Sequence, residues 1–369
     1  MTNERIFTET PKSAIWDRID ILTTINGAKK QLESSCQSYQ SEIEENLLLN
    51  KAKGVAFCIR SARELFKQSD SKNLTPSLTS LYYGTYNLLS ALLIGDVRNT
   101  LTLENIEGFS KNGGHGLKTI YGTNTEGIEN NEFIYCCNNG FYKELLSNLN
   151  HDVSAITMTK NFRKIDEIPN EEKHKLISLK DLLSRIPELK NIYAEIFKEQ
   201  PNYLNYHSSK LYGNDKGFVK VDVSEFQNTE YLKTEEINVI LNIPVEYIFE
   251  YKKDRPDSVL KEEYRLDRLP NELLSDNPRY HSPIAANCTI KPILTVDEPL
   301  LLYFKLLYIL SIWTRYRPNL WREVTEGKYD EFRSLFGIFA DATERVIPNE
   351  FLNKFYNRNF VFASHSYWS

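Results

Sequence analysis

The sequence predicts an α+β protein, a mainly helical core carrying a small antiparallel β-containing insert. Three observations predict it. Apolar residues recur at spacings of three and four through most of residues 11–95, the mark of helices with a buried face. Near Gly213-Asn214-Asp215-Lys216-Gly217 the pattern changes to alternation with β-branched residues, the mark of strands. From residue 298 a dense apolar run restores the helical pattern. The expected organisation is a helical region over 1–212, a β-rich insert over 213–296, and C-terminal helices over 297–369 that pack back on the N-terminal region. Both helical blocks are too apolar to stand alone.

Taken in order, Ile15, Ile19 and Leu22 open an amphipathic stretch beside Trp16, and Gly27 interrupts it. Residues 40–67 place Ile43, Leu47, Leu48, Ala52, Ala56, Ile59, Ala62 and Leu65 mostly on one face, and Ser69, Ser71 and Asn73 end that helix. Thr75 is placed to cap the next helix, with Pro76 at its first position, where a missing amide hydrogen does no harm. In that helix Leu78, Leu81, Tyr82, Leu88, Leu89 and Leu92 form one stripe, and Tyr83, Asn87, Ser90 and Ile94 a second. Apolar side chains on both sides put it in the middle of the domain. Residues 105–140 are rich in Gly and Asn and read as loop with short strands, among them Phe133 to Cys137. Residues 178–200 return to helical spacing. In the insert, Phe218 to Val223, Ile237 to Tyr251 and Ile284 to Leu294 suggest three to five strands, with Lys252 to Glu263 a solvated loop or hairpin tip. Thr295, Asp297 and Glu298 supply capping chemistry and Pro299 sits in the first turn of a helix that runs to about Tyr316, where Arg317 before Pro318 disfavours helix. A final helix covers roughly Asp330 to Arg345. There are no internal repeats and no low-complexity tract.

At 41% hydrophobic and 12% aromatic residues, the chain has enough apolar side chain for a sizeable core, which argues against disorder over most of its length. With 45 basic against 50 acidic residues the net charge is -5, so no global field draws in nucleic acid. The cysteines Cys36, Cys58, Cys136, Cys137 and Cys288 form no CxxC pair, which points to free thiols in a reducing cytosol and against a zinc site. The N-terminal residues lack the apolar core of a signal peptide. The strongest apolar run, Pro299 to Trp313, is interrupted by Lys305 and falls short of the roughly 20 residues a spanning helix needs. A cytoplasmic protein with no membrane partner and no cofactor is expected.

Two features carry the chemistry. Asn87 lies inside an apolar helix, where an amide without partners costs about 1–3 kcal/mol. It either bonds backbone and pins the fold or orients a ligand. His115 lies in Asn112-Gly113-Gly114-His115-Gly116-Leu117. The flanking glycines open backbone conformations closed to other residues, so the imidazole can be presented at a cleft, where it would serve as acid or base near neutral pH. Its alternative is a loop histidine bonding a carbonyl. The glycines are no phosphate loop, because no GxxxxGK[ST] is present.

Arg315, Tyr316, Arg317 and Trp321 cluster at the end of an apolar helix. Either the cations answer the helix dipole, or the arginines hold an anion or nucleotide while Trp321 stacks. Arg358-Asn359 and His365 fall within the Arg-to-His spacing of a ribonuclease motif that belongs on a helix, but the residues between them read as a strand. HExxH and GxSxG are missing, and the PD…(D/E)xK letters are too far apart to form a nuclease motif.

The combination of Tyr82-Tyr83, Asn87-Leu88-Leu89-Ser90-Ala91-Leu92, the His115-Gly116-Leu117 loop, Tyr303 to Ser311 and Arg315-Tyr316-Arg317-Pro318-Asn319-Leu320-Trp321 resembles the YaaC-like family of bacterial proteins. The resemblance spans about Trp16 to Asn353 and implies a bacterial cytoplasmic protein. The helical segments are also similar to HEPN-type bundles, which often accompany defence or stress systems; that is an analogy of fold. The expected function is an accessory or binding protein, in an anti-phage defence or stress system, with a polar pocket for an anionic ligand, RNA or a partner protein. Tyr83, Asn87, Tyr316 and Trp321 would bind. The rival is a metal-independent HEPN-like ribonuclease using His115 or His365 as base and Arg315 or Arg358 to stabilise charge. An oligomer is compatible with either.

Overall fold

Helix forms where apolar residues repeat every three or four positions, and one such helix, α4 (Leu74–Gly95), is wrapped by others. The computed structural model describes residues 3–70, 72–122, 127–199, 201–210, 216–222, 237–238, 243–244, 246–247, 250–253, 262–270, 280–283 and 286–364. Contacts divide the chain into two units, Met1–Leu182 with Leu294–Ser369, and Leu183–Ile293. The fold class is α+β with a mainly helical core.

In the first unit β1 (Asn3–Phe7) precedes α1 (Pro11–Ile19), α2 (Ile25–Tyr39), α3 (Glu45–Lys67) and α4. Then follow α5 (Leu103–Gly113), β2 (Leu117–Tyr121), α6 (Ile128–Asn131), β3 (Glu132–Cys137), α7 (Phe141–Asn148), α8 (Val153–Ile156), β4 (Thr157–Met158), β5 (Ile177–Ser178) and α9 (Leu179–Leu183), whose last residue begins the second unit. α10 (Lys190–Phe197) belongs to that second unit. The chain returns to the first unit with α11 (Pro299–Tyr316), α12 (Pro318–Thr325), α13 (Glu331–Tyr356) and β12 (Asn359–Ala363).

Helix α4 packs on α3, α11 and α13. Its glycines permit the closest approaches: a Cβ on Gly84 would lie 2.7 Å from the Phe66 ring, and one on Gly95 2.4 Å from Phe355. The α4 core residues Leu78, Leu81, Tyr82, Leu88 and Leu89 are fully buried, as are Leu300 to Leu302, Phe304, Leu306 and Leu307 of α11. Hydrophobic burial on both sides of each helix is what holds the bundle. Lys51 closes the C-terminal end of α4: its buried ammonium donates to the carbonyls of Ile94 and Asp96 and to Asn99 Oδ1 at 2.9, 3.1 and 2.9 Å.

The described strands make three sheets. β2 runs antiparallel to β3, which pairs in parallel with β4 and antiparallel with β5. β1 and β12 pair in parallel from Asn3↔Asn359 to Phe7↔Ala363. The second unit holds an antiparallel sheet in the order β10 (Tyr280–Ser282), β11 (Ala286–Ile290), β6 (Tyr203–Lys210), β7 (Lys216–Asp222), β9 (Glu262–Pro270), β8 (Glu250–Lys253).

Several local expectations are corrected. Gly27 lies within α2; the break comes earlier, at residues 20–24, where the Thr24 side chain accepts from Gly27 N and caps the new helix. α4 starts at Leu74, so Pro76 is its third residue, and Thr75 does not cap it. Residues 103–113 are helix rather than loop, because Thr102 and Asn105 form a capping box. Residues 178–200 break at Pro187 into α9 and α10. Ile237 and Asn238 are helical instead of extended, with the Asn238 amide donating to the carbonyls of Pro244 and Tyr247. Residues 254–261 of the expected charged loop lie outside the described residues. The last helix continues through Pro348 to Tyr356; burial of Val346, Ile347, Phe351 and Leu352 offsets a proline penalty of about 3 kcal/mol.

Candidate functional site

The site begins with a backbone constraint. Helix α5 ends at Gly113, and the chain turns through Gly114 (φ 62°) and Gly116 (φ 74°), left-handed conformations that favour glycine. A Cβ on Gly116 would meet Tyr142 N at 2.8 Å, and one on Gly113 would meet Gly140 N at 2.5 Å. The loop is thereby pressed on the start of α7. There Phe141 N donates to Gly114 O at 3.2 Å and Tyr142 N to His115 O at 3.0 Å, which satisfies two amides that a helix start leaves unpaired. With its carbonyl fixed this way, His115 turns its ring into a cluster of tyrosines.

Those tyrosines come from two helices. α4 supplies Tyr82, Tyr83 and Tyr86, with ring centroids 5.4, 6.3 and 5.1 Å from the imidazole, and α11 supplies Tyr308 at 6.4 Å. The Tyr86 hydroxyl pairs with Ser110 Oγ at 2.7 Å, which ties α4 to α5. The His115 Nδ1 and the Tyr82 hydroxyl are buried without a hydrogen-bond partner among the described residues. The Tyr142 hydroxyl and Thr85 Oγ1 are buried in the same way; what sets His115 Nδ1 and the Tyr82 hydroxyl apart is that both belong to the cluster Arg315 lies against.

Arg315 lies against the same rings. Its Nε donates to Ser311 O at 2.9 Å, Nη1 to the Tyr83 hydroxyl at 2.7 Å and to the Tyr316 hydroxyl at 3.4 Å, and Nη2 to Ser311 Oγ at 3.2 Å. The guanidinium carbon is 5.3 Å from the Tyr83 centroid, 5.9 Å from Tyr82 and 4.8 Å from Tyr316. No carboxylate pairs with Arg315 among the described residues. Its neighbour Arg317, by contrast, is bound at 2.5 Å to Oε2 of the buried Glu132 and lies over the Tyr121 ring at 5.1 Å.

Electrostatics make Arg315 the charge of the cluster. Burial, and then the Arg315 charge, push the His115 imidazole below its usual value, so the ring is neutral at pH 7. Burial pushes the Tyr82 hydroxyl well up and Tyr308 to about 12. The result is a partly buried guanidinium with no carboxylate partner among the described residues, near a neutral imidazole.

Of the residues singled out in the sequence, His115, Arg315, Tyr83 and Tyr316 meet here. The Asn87 amide donates to Tyr83 O at 2.8 Å, within its own helix. The Trp321 indole is buried and donates to Thr75 Oγ1 at 2.7 Å, fastening α12 to the start of α4. Arg358 follows α13 and faces Glu4 of β1 at 3.9 Å. His365 lies outside the described residues. Tyr86, Tyr308 and Ser311 went unnoticed as site residues, although the spacing of 308, 311 and 315 puts all three on one face of a helix. Among the described residues no group of three His, Cys, Asp or Glu side chains could hold a metal ion, and no helix is long and apolar enough to cross a membrane.

A family model described as YaaC-like Protein matches residues 21–355. No curated protein and no solved structure matches the chain.

Proposed function

We propose that this chain, which belongs to the YaaC-like family, is a binding protein for an anionic ligand seated between His115 and Arg315. The observation that carries the reading is the charge of Arg315, which no carboxylate among the described residues neutralises, beside a buried His115 Nδ1 that has no partner. A guanidinium already oriented by Tyr83 and Ser311 loses little freedom on meeting an anion. The wider role that fits is an accessory protein of a bacterial stress or anti-phage defence system, acting in the cytoplasm. What suggests it is the analogy, drawn from the sequence, between its helical segments and HEPN-type bundles.

The test is calorimetric titration with inorganic phosphate and with ribose 5-phosphate. Saturable binding that Arg315→Met abolishes supports the reading. Absence of binding by every anion tried, in protein shown to be folded, overturns it.

A second reading rests on the lowered His115 value, since a neutral imidazole is the form that accepts a proton in RNA transesterification. Arg315 would stabilise the charge developing on phosphate. Incubation with labelled RNA plus chelator separates the two readings: cleavage lost in His115→Ala favours catalysis, and intact RNA favours binding alone. The parallel variant Arg358→Ala tests the other arginine.

A further inference from the structure

We propose that the anion at Arg315 is the phosphate of a nucleotide, whose base stacks on Tyr316. This rests on the anion-binding reading and names its ligand class. The corner Arg315-Tyr316-Arg317 at the end of α11 carries two ring-and-guanidinium pairs, Arg315 with Tyr316 at 4.8 Å and Arg317 with Tyr121 at 5.1 Å. Both rings stay open to solvent, Tyr316 at 66% exposure and Tyr121 at 44%. A single exposed tyrosine needs no explanation. Two at one corner, each pre-ordered by a guanidinium, are a stacking platform of the kind that single nucleotides and single strands use.

The two arginines divide the work. Arg317 is neutralised by the buried Glu132, so it steadies a ring without offering net charge. Arg315 has no carboxylate among the described residues and keeps its charge for a phosphate. The second, independent observation is the pair of orphaned atoms in the cluster Arg315 lies against. Tyr82 is fully buried and its hydroxyl has no partner among the described residues, and neither has His115 Nδ1. A nucleotide offers what each needs: a phosphate or ribose oxygen as acceptor for the Tyr82 hydroxyl, and for His115 Nδ1 an acceptor oxygen or a ribose hydroxyl, according to the tautomer. A simple carboxylate or inorganic anion would use Arg315 but leave the exposed rings idle.

The shared chemistry could come from a free nucleotide or from the phosphorylated end of an RNA strand, and the test separates these. Affinities are measured for AMP, ribose 5-phosphate and a short 5′-phosphorylated single-stranded RNA. AMP is expected to bind about tenfold or more tightly than ribose 5-phosphate, a gain of the size base stacking gives. In Tyr316→Ala that preference should fall to within about twofold, and in Tyr316→Trp it should persist. An RNA end that binds tighter still, and loses the gain in Tyr121→Ala, supports the same stacking platform with RNA as the source. Equal affinity for AMP and ribose 5-phosphate in the unaltered protein overturns the nucleotide inference and leaves the anion reading standing. Failure of all three ligands to bind overturns both.

Discussion

Arg315 and Tyr83, 232 positions apart in the chain, are joined by a hydrogen bond of 2.7 Å from the guanidinium Nη1 to the phenol oxygen. The bond links α11 to α4, and it is made by the one cation of the His115 cluster that has no carboxylate partner among the described residues. It therefore does two things at once. It contributes to the docking of two helices, and it fixes the direction of the charge on which the proposed anion site depends.

Replacing Tyr83 by Phe separates those roles. A hydrogen bond to a charged group contributes about 1.5–3 kcal/mol when buried; because this pair is only partly buried, a loss of about 1 kcal/mol is expected in urea unfolding. Anion affinity should fall about threefold to tenfold as the guanidinium gains freedom. A double-mutant cycle with Arg315→Met should return a coupling of about 1 kcal/mol. Coupling near zero would mean that the contact does not position Arg315.

The sequence showed the fold class well and the site in part, for physical reasons that differ by residue. The change of period near Gly213 and the apolar run that Pro299 leads are local signals, and β7 and α11 follow from them, although no side chain caps α11. His115 stood out because glycines flank it, and Arg315 because it closes a helix. Tyr82, Tyr86 and Tyr308 were hidden, since an aromatic stripe on an apolar helix reads as core until the facing helix is placed. Pairing of β1 with β12 had no local signal at all, because its partners lie about 356 positions apart (Asn3 with Asn359). Trp321 shows the converse case: a residue type suited to stacking, spent on a bond to Thr75.

Gly116 tests the loop. At φ 74°, with a Cβ due to fall 2.8 Å from Tyr142 N, Gly116→Ala should cost about 1–3 kcal/mol of stability. It should also lower anion affinity more than Gly108→Ala, whose Cβ would meet nothing within 4 Å. Stability and affinity both unchanged in Gly116→Ala would show that the loop backbone does not set the histidine.

Lys51 tests the end of α4. Substitution by Met keeps the aliphatic stem but leaves the carbonyls of Ile94 and Asp96 and the Asn99 oxygen without their ammonium donor. A loss of about 2–4 kcal/mol is expected in urea unfolding. A loss below about 0.5 kcal/mol would mean that water replaces the ammonium at little expense.

Asp297 gives a pH dependence with a definite sign. Burial, and then the neighbouring Glu298, push its carboxyl up from 3.8 to about 6. Between those values the folded state holds a proton that the unfolded state has released, so stability falls as pH rises through this window. Asp297→Asn removes the burden. Relative to the unaltered protein, it should be more stable by about 1–2 kcal/mol above pH 7 and equal to it near pH 4, allowing for partial exposure. A difference that is the same at both pH values would place the effect in the new amide's contacts instead of the lost charge.

His115 should couple anion binding to protons. Burial and Arg315 hold its value below 6.5 in the free protein, and an anion seated beside it favours the charged ring and moves the value back up. Between the free and the bound values the complex carries more protons than its parts, so affinity rises as pH falls through that interval. Calorimetry over a series of pH values below 6.5, in buffers of different ionisation enthalpy, should therefore find an interval with uptake of a fraction of a proton on phosphate binding. His115→Gln, which keeps a polar group but cannot titrate, should bind with no buffer dependence. Uptake that persists in His115→Gln would assign the proton to the phosphate or to another side chain, and the imidazole would then lie too far from the anion to feel its charge.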